Sequence, residues 1–162
     1  MEESLGNNTV PAEPPHSIAQ ASVDDKGRLK LPEKFIEYLE SINVTQVFIT
    51  TLDMRLARIY PLFLWKRNEE LFYNAGEHAA EASRVAFRAK VYGGDAEIDK
   101  SGRVLLPVKL REALGLEKQP VWLDVYNGGI NLMTKKTYDE RMQLAMANMA
   151  DDLRTLEKLG LK

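Results

Sequence analysis

Apolar and polar positions alternate along much of this chain, and the period changes at defined points. Ala19, Ala21 and Val23 alternate with polar residues, as on a half-buried strand. Asp24-Asp25-Lys26-Gly27 reads as a turn, and Arg28-Leu29-Lys30-Leu31 resumes the period of two. Pro32 suits the first turn of a helix, where its missing N–H costs nothing. Phe35, Ile36, Leu39 and Ile42 then follow at helical spacing. Gln46 to Leu52 and Leu56 to Tyr60 predict two strands around Asp53-Met54-Arg55. Pro61 opens a second helix bearing Leu62, Trp65, Phe72 and Tyr73. Glu77 to Val91 predicts an Ala-rich helix with Ala82, Val85, Ala86 and Ala89 inward, ended by Gly93-Gly94.

The same order then recurs. Ala96 and Ile98 lead into the turn Asp99-Lys100-Ser101-Gly102, and Arg103-Val104-Leu105-Leu106 is a strand. Pro107 starts a short helix with Leu110, Ala113 and Leu114, stopped by Gly115. Val121 to Val125 and Ile130 to Thr134 predict a hairpin around Asn127-Gly128-Gly129, a strong turn signal. Lys135 to Leu159 is expected to be one long helix, with Tyr138, Met142, Ala145, Met149, Leu153 and Leu156 on one side. That methionine-bearing stripe reads as packing rather than as a ligand box.

Displacing the chain on itself by 75 residues makes the duplication explicit. Asp24 meets Asp99, Gly27 meets Gly102, Arg28 meets Arg103, Leu31 meets Leu106 and Pro32 meets Pro107. The shared core is Asp-x-x-Gly-Arg-φ-x-Leu-Pro, with φ apolar. A single Asp-x-x-x-Arg is most often a plain turn. Two copies in one strand–turn–strand–Pro–helix context fix an architecture. Each copy is a ββαββ unit whose four short strands and single short helix cannot close a core alone. The two units must therefore pair, and within one chain that pairing can be internal.

Composition narrows the function. Apolar residues make up 44% and charged residues 28% of the 162 positions, which are globular values. The absence of cysteine excludes disulfides, thiol catalysis and cysteine zinc sites, and two histidines, His16 and His78, exclude a His-rich metal site. No apolar run approaches membrane-spanning length. The start Met-Glu-Glu-Ser has no signal-peptide character, so a soluble intracellular protein is expected. The formal charge of −2 argues against a nucleic-acid binder. Its distribution argues the other way. Residues 1–20 hold Glu2, Glu3 and Glu13 and no cation, and without them the charge is +1. Four cations and one acid lie between Lys26 and Lys34, and seven cations and three acids between Arg84 and Arg111. Charge clusters of this kind are commonly solvated faces.

The doubled motif resembles the MraZ family, whose members carry two SpoVT-AbrB type swapped-hairpin repeats. Tyr60-Pro61 followed by Trp65, and the linking helices, are similar as well, and the resemblance covers roughly residues 18–145. It implies an α+β fold: a swapped-hairpin β-barrel of two pseudo-symmetric ββαββ repeats. The organisation expected is a mobile acidic, Pro-rich arm over 1–17, a first repeat over 18–63, linking helices over 64–92, a second repeat over 93–136 and a C-terminal helix over 137–162. The resemblance further implies a bacterial transcriptional regulator, usually a repressor, that binds G-rich direct repeats in the promoter of the division and cell-wall gene cluster. Its partners would be double-stranded DNA and itself, as a ring. It implies a nucleoid-associated protein of the cytoplasm. No cofactor, metal, membrane or small-molecule substrate is expected. The chain departs from the family in its Pro-rich start, in Asp25, where a small residue is common, and in Ser101, which stands where the first copy has Lys26.

Side-chain chemistry assigns the roles. An arginine fork can bond guanine O6 and N7 together in the major groove, and a strand-to-strand turn can enter that groove. Arg28 is expected to read a base or clamp a phosphate, with Lys26 on phosphate and Asp24 accepting backbone N–H groups of its own turn. Arg103, Lys100 and Asp99 would play the same parts, and Gly27 and Gly102 let the backbone turn. The alternative is that Asp and Arg only brace the fold through an ion pair. An enzyme is disfavoured, because the chain has no P-loop, Gly-x-Gly-x-x-Gly, Gly-x-Ser-x-Gly or His-Glu-x-x-His. An assembly protein, or an antitoxin-like regulator whose C-terminal helix binds a protein, remains as the other class.

Overall fold

The computed structural model describes residues 13–162. Of the expected arm over 1–17, residues 1–12 lie outside the described residues. The chain runs β1 (Ala19–Ser22), β2 (Arg28–Lys30), α1 (Glu33–Ser41), β3 (Gln46–Thr51) and β4 (Ala57–Pro61). Next come α2 (Leu62–Tyr73), a 3-10 turn (Gly76–His78) and α3 (Ala79–Tyr92). The second half repeats the first as β5 (Gly94–Glu97), β6 (Arg103–Leu105), α4 (Val108–Leu114), β7 (Pro120–Tyr126) and β8 (Gly129–Met133). The chain closes with α5 (Lys135–Met146) and α6 (Met149–Glu157).

This is a mixed α+β fold built on an antiparallel sheet of order β1-β7-β8-β4-β3-β5 and a two-stranded ribbon, β2-β6. Exchanging each strand of the first half for its counterpart in the second reverses the sheet order and leaves it unchanged. A pseudo-two-fold axis therefore passes between β4 and β8. The pairing crosses between halves: β1 lies on β7, β5 on β3, and β2 on β6. Each half supplies a hairpin, β3–β4 or β7–β8, and sends its first two strands to the other. The β7–β8 hairpin turns on Asn127 and Gly128, both at positive φ, the backbone a type I′ turn demands.

Alternation decides which face each strand buries. Val47, Ile49, Ile59, Val121, Leu123, Ile130 and Leu132 point to one side of the sheet. There they meet Leu29, Leu31, Phe35 and Leu39 from the first half and Val104, Leu106 and Leu110 from the second. Each fully buried aliphatic side chain contributes about 1.5–3 kcal/mol. The opposite face is covered unevenly. Over β3 and β4, Trp65 of α2 stacks on Phe48 with centroids 4.5 Å apart and touches Tyr60 and Phe72. The Thr50 hydroxyl donates to the Ala89 carbonyl at 2.7 Å and ties α3 to β3. Over β7, Tyr138 of α5 stacks on Trp122 at 4.8 Å. The duplication thus extends past the hairpins: each is followed by a helix whose first turns plant an aromatic ring on its third strand.

Two expectations change. Pro32 and Pro107 stand one position before their helices, in extended backbone, and the Pro32 carbonyl accepts the first helical bond, from Ile36. The single helix expected over Lys135 to Leu159 is two. Asn148 adopts the left-handed conformation at φ 58° and breaks the chain between α5 and α6. Most side chains resist that conformation, but asparagine accepts it. The expected apolar stripe is correspondingly split, and Met142, Met149, Leu153 and Leu156 are exposed rather than packed. No helix among the described residues is long and apolar enough to cross a membrane.

Candidate nucleic-acid interface

The two Asp-x-x-Gly-Arg segments form the same turn twice. In the first, the Asp24 carbonyl accepts from Gly27 N–H at 3.1 Å, and the Arg28 carbonyl accepts from Asp24 N–H at 2.9 Å. The Asp24 carboxylate accepts the backbone amides of Lys26 and Arg28, each at 2.9 Å. In the second, Asp99 and Gly102 are joined at 3.0 Å, and the Asp99 carboxylate accepts the amides of Ser101 at 2.8 Å and Arg103 at 2.9 Å. Gly27 and Gly102 sit at φ 80° and 77°. A larger residue would be strained there. Each turn is also stitched to the other half, through Leu106 N–H to the Gly27 carbonyl and Leu31 N–H to the Gly102 carbonyl, both 3.0 Å.

Beyond the backbone the two turns differ. The Arg28 Nε donates to Asp24 Oδ2 at 3.0 Å, an ion pair half open to solvent. Arg103 instead donates through Nη1 to the Ser101 hydroxyl at 2.9 Å, and that hydroxyl donates to Asp99 at 2.7 Å. The substitution of Ser101 for lysine thus inserts a hydroxyl between acid and guanidinium. The bracing ion pair weighed above is formed in the first turn only, among the described residues. Both carboxyls are held below the ordinary aspartate pKa. For Asp24 the chief cause is the Arg28 backbone amide, which outweighs burial. For Asp99 it is the Ser101 hydroxyl, followed by the Arg103 backbone amide.

The ribbon brings the turns into one surface. Arg28 pairs with Leu105, Leu29 with Val104, and Lys30 with Arg103. Leu29 and Val104 are buried, so Arg28, Lys30, Arg103 and Leu105 face outward. Because the strands run antiparallel, the turns stand at opposite ends of a ribbon three residues long. Diagonal neighbours on such a pair lie about 7–8 Å apart at Cα, so Arg28 and Arg103 are close despite their 75-residue separation. Lys26 and Lys100 are exposed at the two ends. All eight expected residues, Asp24, Lys26, Gly27, Arg28, Asp99, Lys100, Gly102 and Arg103, thus belong to one short basic ribbon and its two corners.

Two residues of this surface escaped the motif. Lys30 shares the outward face with Arg28, as the Arg-Leu-Lys-Leu alternation already implies. Arg111 lies on α4, is almost buried, and passes beneath the first turn. Its duplicate position holds Ile36, so the repeat gave no sign of it. Among the described residues no group of His, Asp and Glu is placed to hold a metal ion.

No family model matches the chain. It is 32% identical over 139 residues to a protein of Acidobacterium capsulatum named Transcriptional regulator MraZ, which covers 86% of this chain and 94% of that protein. The protein of the same name from Anaeromyxobacter dehalogenans is 30% identical over 122 residues, 75% of this chain and 84% of its own length. That of Koribacter versatilis is 28% identical over 141 residues, 86% of this chain and 94% of its own length. On a relative 32% identical over 86% of its length, the chain belongs to the MraZ family.

Proposed function

We propose that this protein is a sequence-specific DNA-binding transcriptional regulator whose β2-β6 ribbon enters the major groove. The observation that carries this reading is the duplicated turn: two carboxylate-anchored corners flank a single ribbon whose outer face is Arg28, Lys30 and Arg103 with Leu105. A two-stranded ribbon has the width the major groove admits, and the arginine fork matches guanine. In this reading Arg28 and Arg103 contact bases or phosphates, while Lys26, Lys30 and Lys100 neutralise phosphates. The exchange of strands between halves supports reading the fold as the swapped-hairpin barrel of two SpoVT-AbrB type repeats.

The target is G-rich direct repeats in the promoter of the division and cell-wall gene cluster, which the protein represses from the cytoplasm and nucleoid. One chain offers few phosphate contacts and a net charge of −2, so affinity must come from several subunits on several DNA repeats. Exposed Leu71, Tyr73 and Phe87 on α2 and α3, and Leu153 and Leu156 on α6, support self-association into a ring. The test is a titration of the promoter upstream of the protein's own gene. Arg28→Ala should lose about 1–3 kcal/mol of specific affinity and relax base choice at one position. A folded Arg28→Ala or Arg103→Ala protein with unchanged affinity would overturn the assignment. No promoter binding, with co-purification of a protein partner, would establish the antitoxin-like alternative.

A further inference from the structure

The two corners look alike from outside and rest on different foundations. Beneath Gly27 lies the guanidinium of Arg111, and a Cβ added at Gly27 would run directly into Nη1, Cζ and Nε. Arg111 reaches that place from α4 of the second half, and its side chain is only 10% exposed. Its Nε donates to the Leu106 carbonyl at 3.0 Å, and Nη1 approaches Glu117 Oε1 at 3.3 Å. The Leu106 N–H in turn donates to the Gly27 carbonyl. One continuous chain of contacts therefore runs from Glu117 through Arg111 and Leu106 to the tip of the first corner. Beneath Gly102 the corresponding side chain is Ile36, which packs as closely but offers no hydrogen bond, and the Lys30 Nζ lies beside it. A cleft of about 230 Å³ opens beside it, lined by Lys30, Leu39, Ile98 and the second turn itself. The Arg28–Asp24 ion pair adds to the contrast, since the Arg103 guanidinium reaches Asp99 only through the Ser101 hydroxyl.

We infer that Arg111 is a positioning residue that fixes the first corner from below, so that the two corners are unequal readers. The first is held in one conformation before DNA arrives, and the second yields to fit. The physical basis is preorganisation: a corner already locked loses little freedom on binding, whereas a yielding one loses more and tolerates more sequences. Arg111 acts through Gly27 and Arg28 and does not itself touch DNA. The inference rests on the DNA-binding reading for its consequence, while its structural half stands apart from it.

A double-mutant cycle tests it in the full-length protein. Arg111→Ile installs the residue that the second corner already uses. It should weaken binding to promoter DNA about tenfold in the wild-type and Arg103→Ala backgrounds, and less than about twofold once Arg28→Ala is present. A general loss of packing would act equally in all three, and that result, or no loss in a folded variant, would overturn the inference. If Arg111→Ile does not fold, Arg111→Met fills the same space with an unbranched apolar chain and carries the same cycle. A measurement without DNA separates the two claims. Backbone order parameters at Lys26–Arg28 should exceed those at Ser101–Arg103 in the wild-type protein. Equal values would overturn the positioning role even if DNA binds. Absence of promoter binding with unequal values would sink only the functional reading.

Discussion

Asp24 and Asp99 do the same work as the side chain of an Asx turn, in which a carboxylate satisfies backbone donors the turn cannot pair itself. Because those bonds favour the ionised form, both carboxyls titrate low. The sign follows from linkage. A folded pKa below the unfolded one gives stability that is fully present above the ordinary aspartate value and is lost as pH falls through the folded value. The turns should therefore stay ordered through mildly acidic solution. The amides of Lys26, Arg28, Ser101 and Arg103 should lose their exchange protection only at lower pH. Their chemical shifts followed against pH check this, and a midpoint at or above the ordinary aspartate pKa would contradict it. At this scale the candidate site was legible in the sequence, because every bond within each turn spans four residues or fewer. Arg111 was not legible. Its helix position looks like any solvated cation until the fold brings α4 beneath Gly27.

Among elements, the ribbon is the weakest by itself. Strands of three residues cannot stand alone, and β2 and β6 are held by what they bury. Leu29 is fully buried and Val104 nearly so, on the ribbon's inner face. Leu29→Ala should cost about 2–5 kcal/mol in urea unfolding, since the tight surround cannot collapse into the space. Lys30→Ala, one position along the same strand but facing outward, should change stability by no more than about 0.5 kcal/mol. It should nevertheless weaken promoter binding and its salt dependence. If both substitutions destabilised alike, the inward and outward assignment of the ribbon would be wrong. The alternation of Arg28 to Leu31 announced this division. The break at Asn148 had no such signal, because Ala147, Asn148 and Met149 are all compatible with a continuing helix.

For the whole molecule, on the proposed function, the decisive quantity is how many corners meet DNA at once. Binding through several subunits multiplies phosphate contacts, and each contact releases counterions. Affinity for a promoter with several direct repeats should fall steeply with salt, and a single repeat should bind far more weakly than several. Equal affinity for one and several repeats, measured by anisotropy across a salt series, would contradict a multivalent ring. Light scattering of the free protein reports the assembly independently, and a monomer would remove the reason for the exposed apolar rings on α2 and α3.

By itself the amino-acid sequence determined the local order: two Asp-anchored turns, the proline-led helices, the hairpins and the duplication that relates them. Such features depend on neighbours a few residues apart and on the period of burial, both of which are written along the chain. Only the tertiary structure decided that β1 and β5 cross to the opposite half, that the corners share one ribbon, and that Arg111 supports one of them alone. Those outcomes depend on contacts between residues far apart in sequence, and the pairing that buries the most apolar surface is a property of the folded whole.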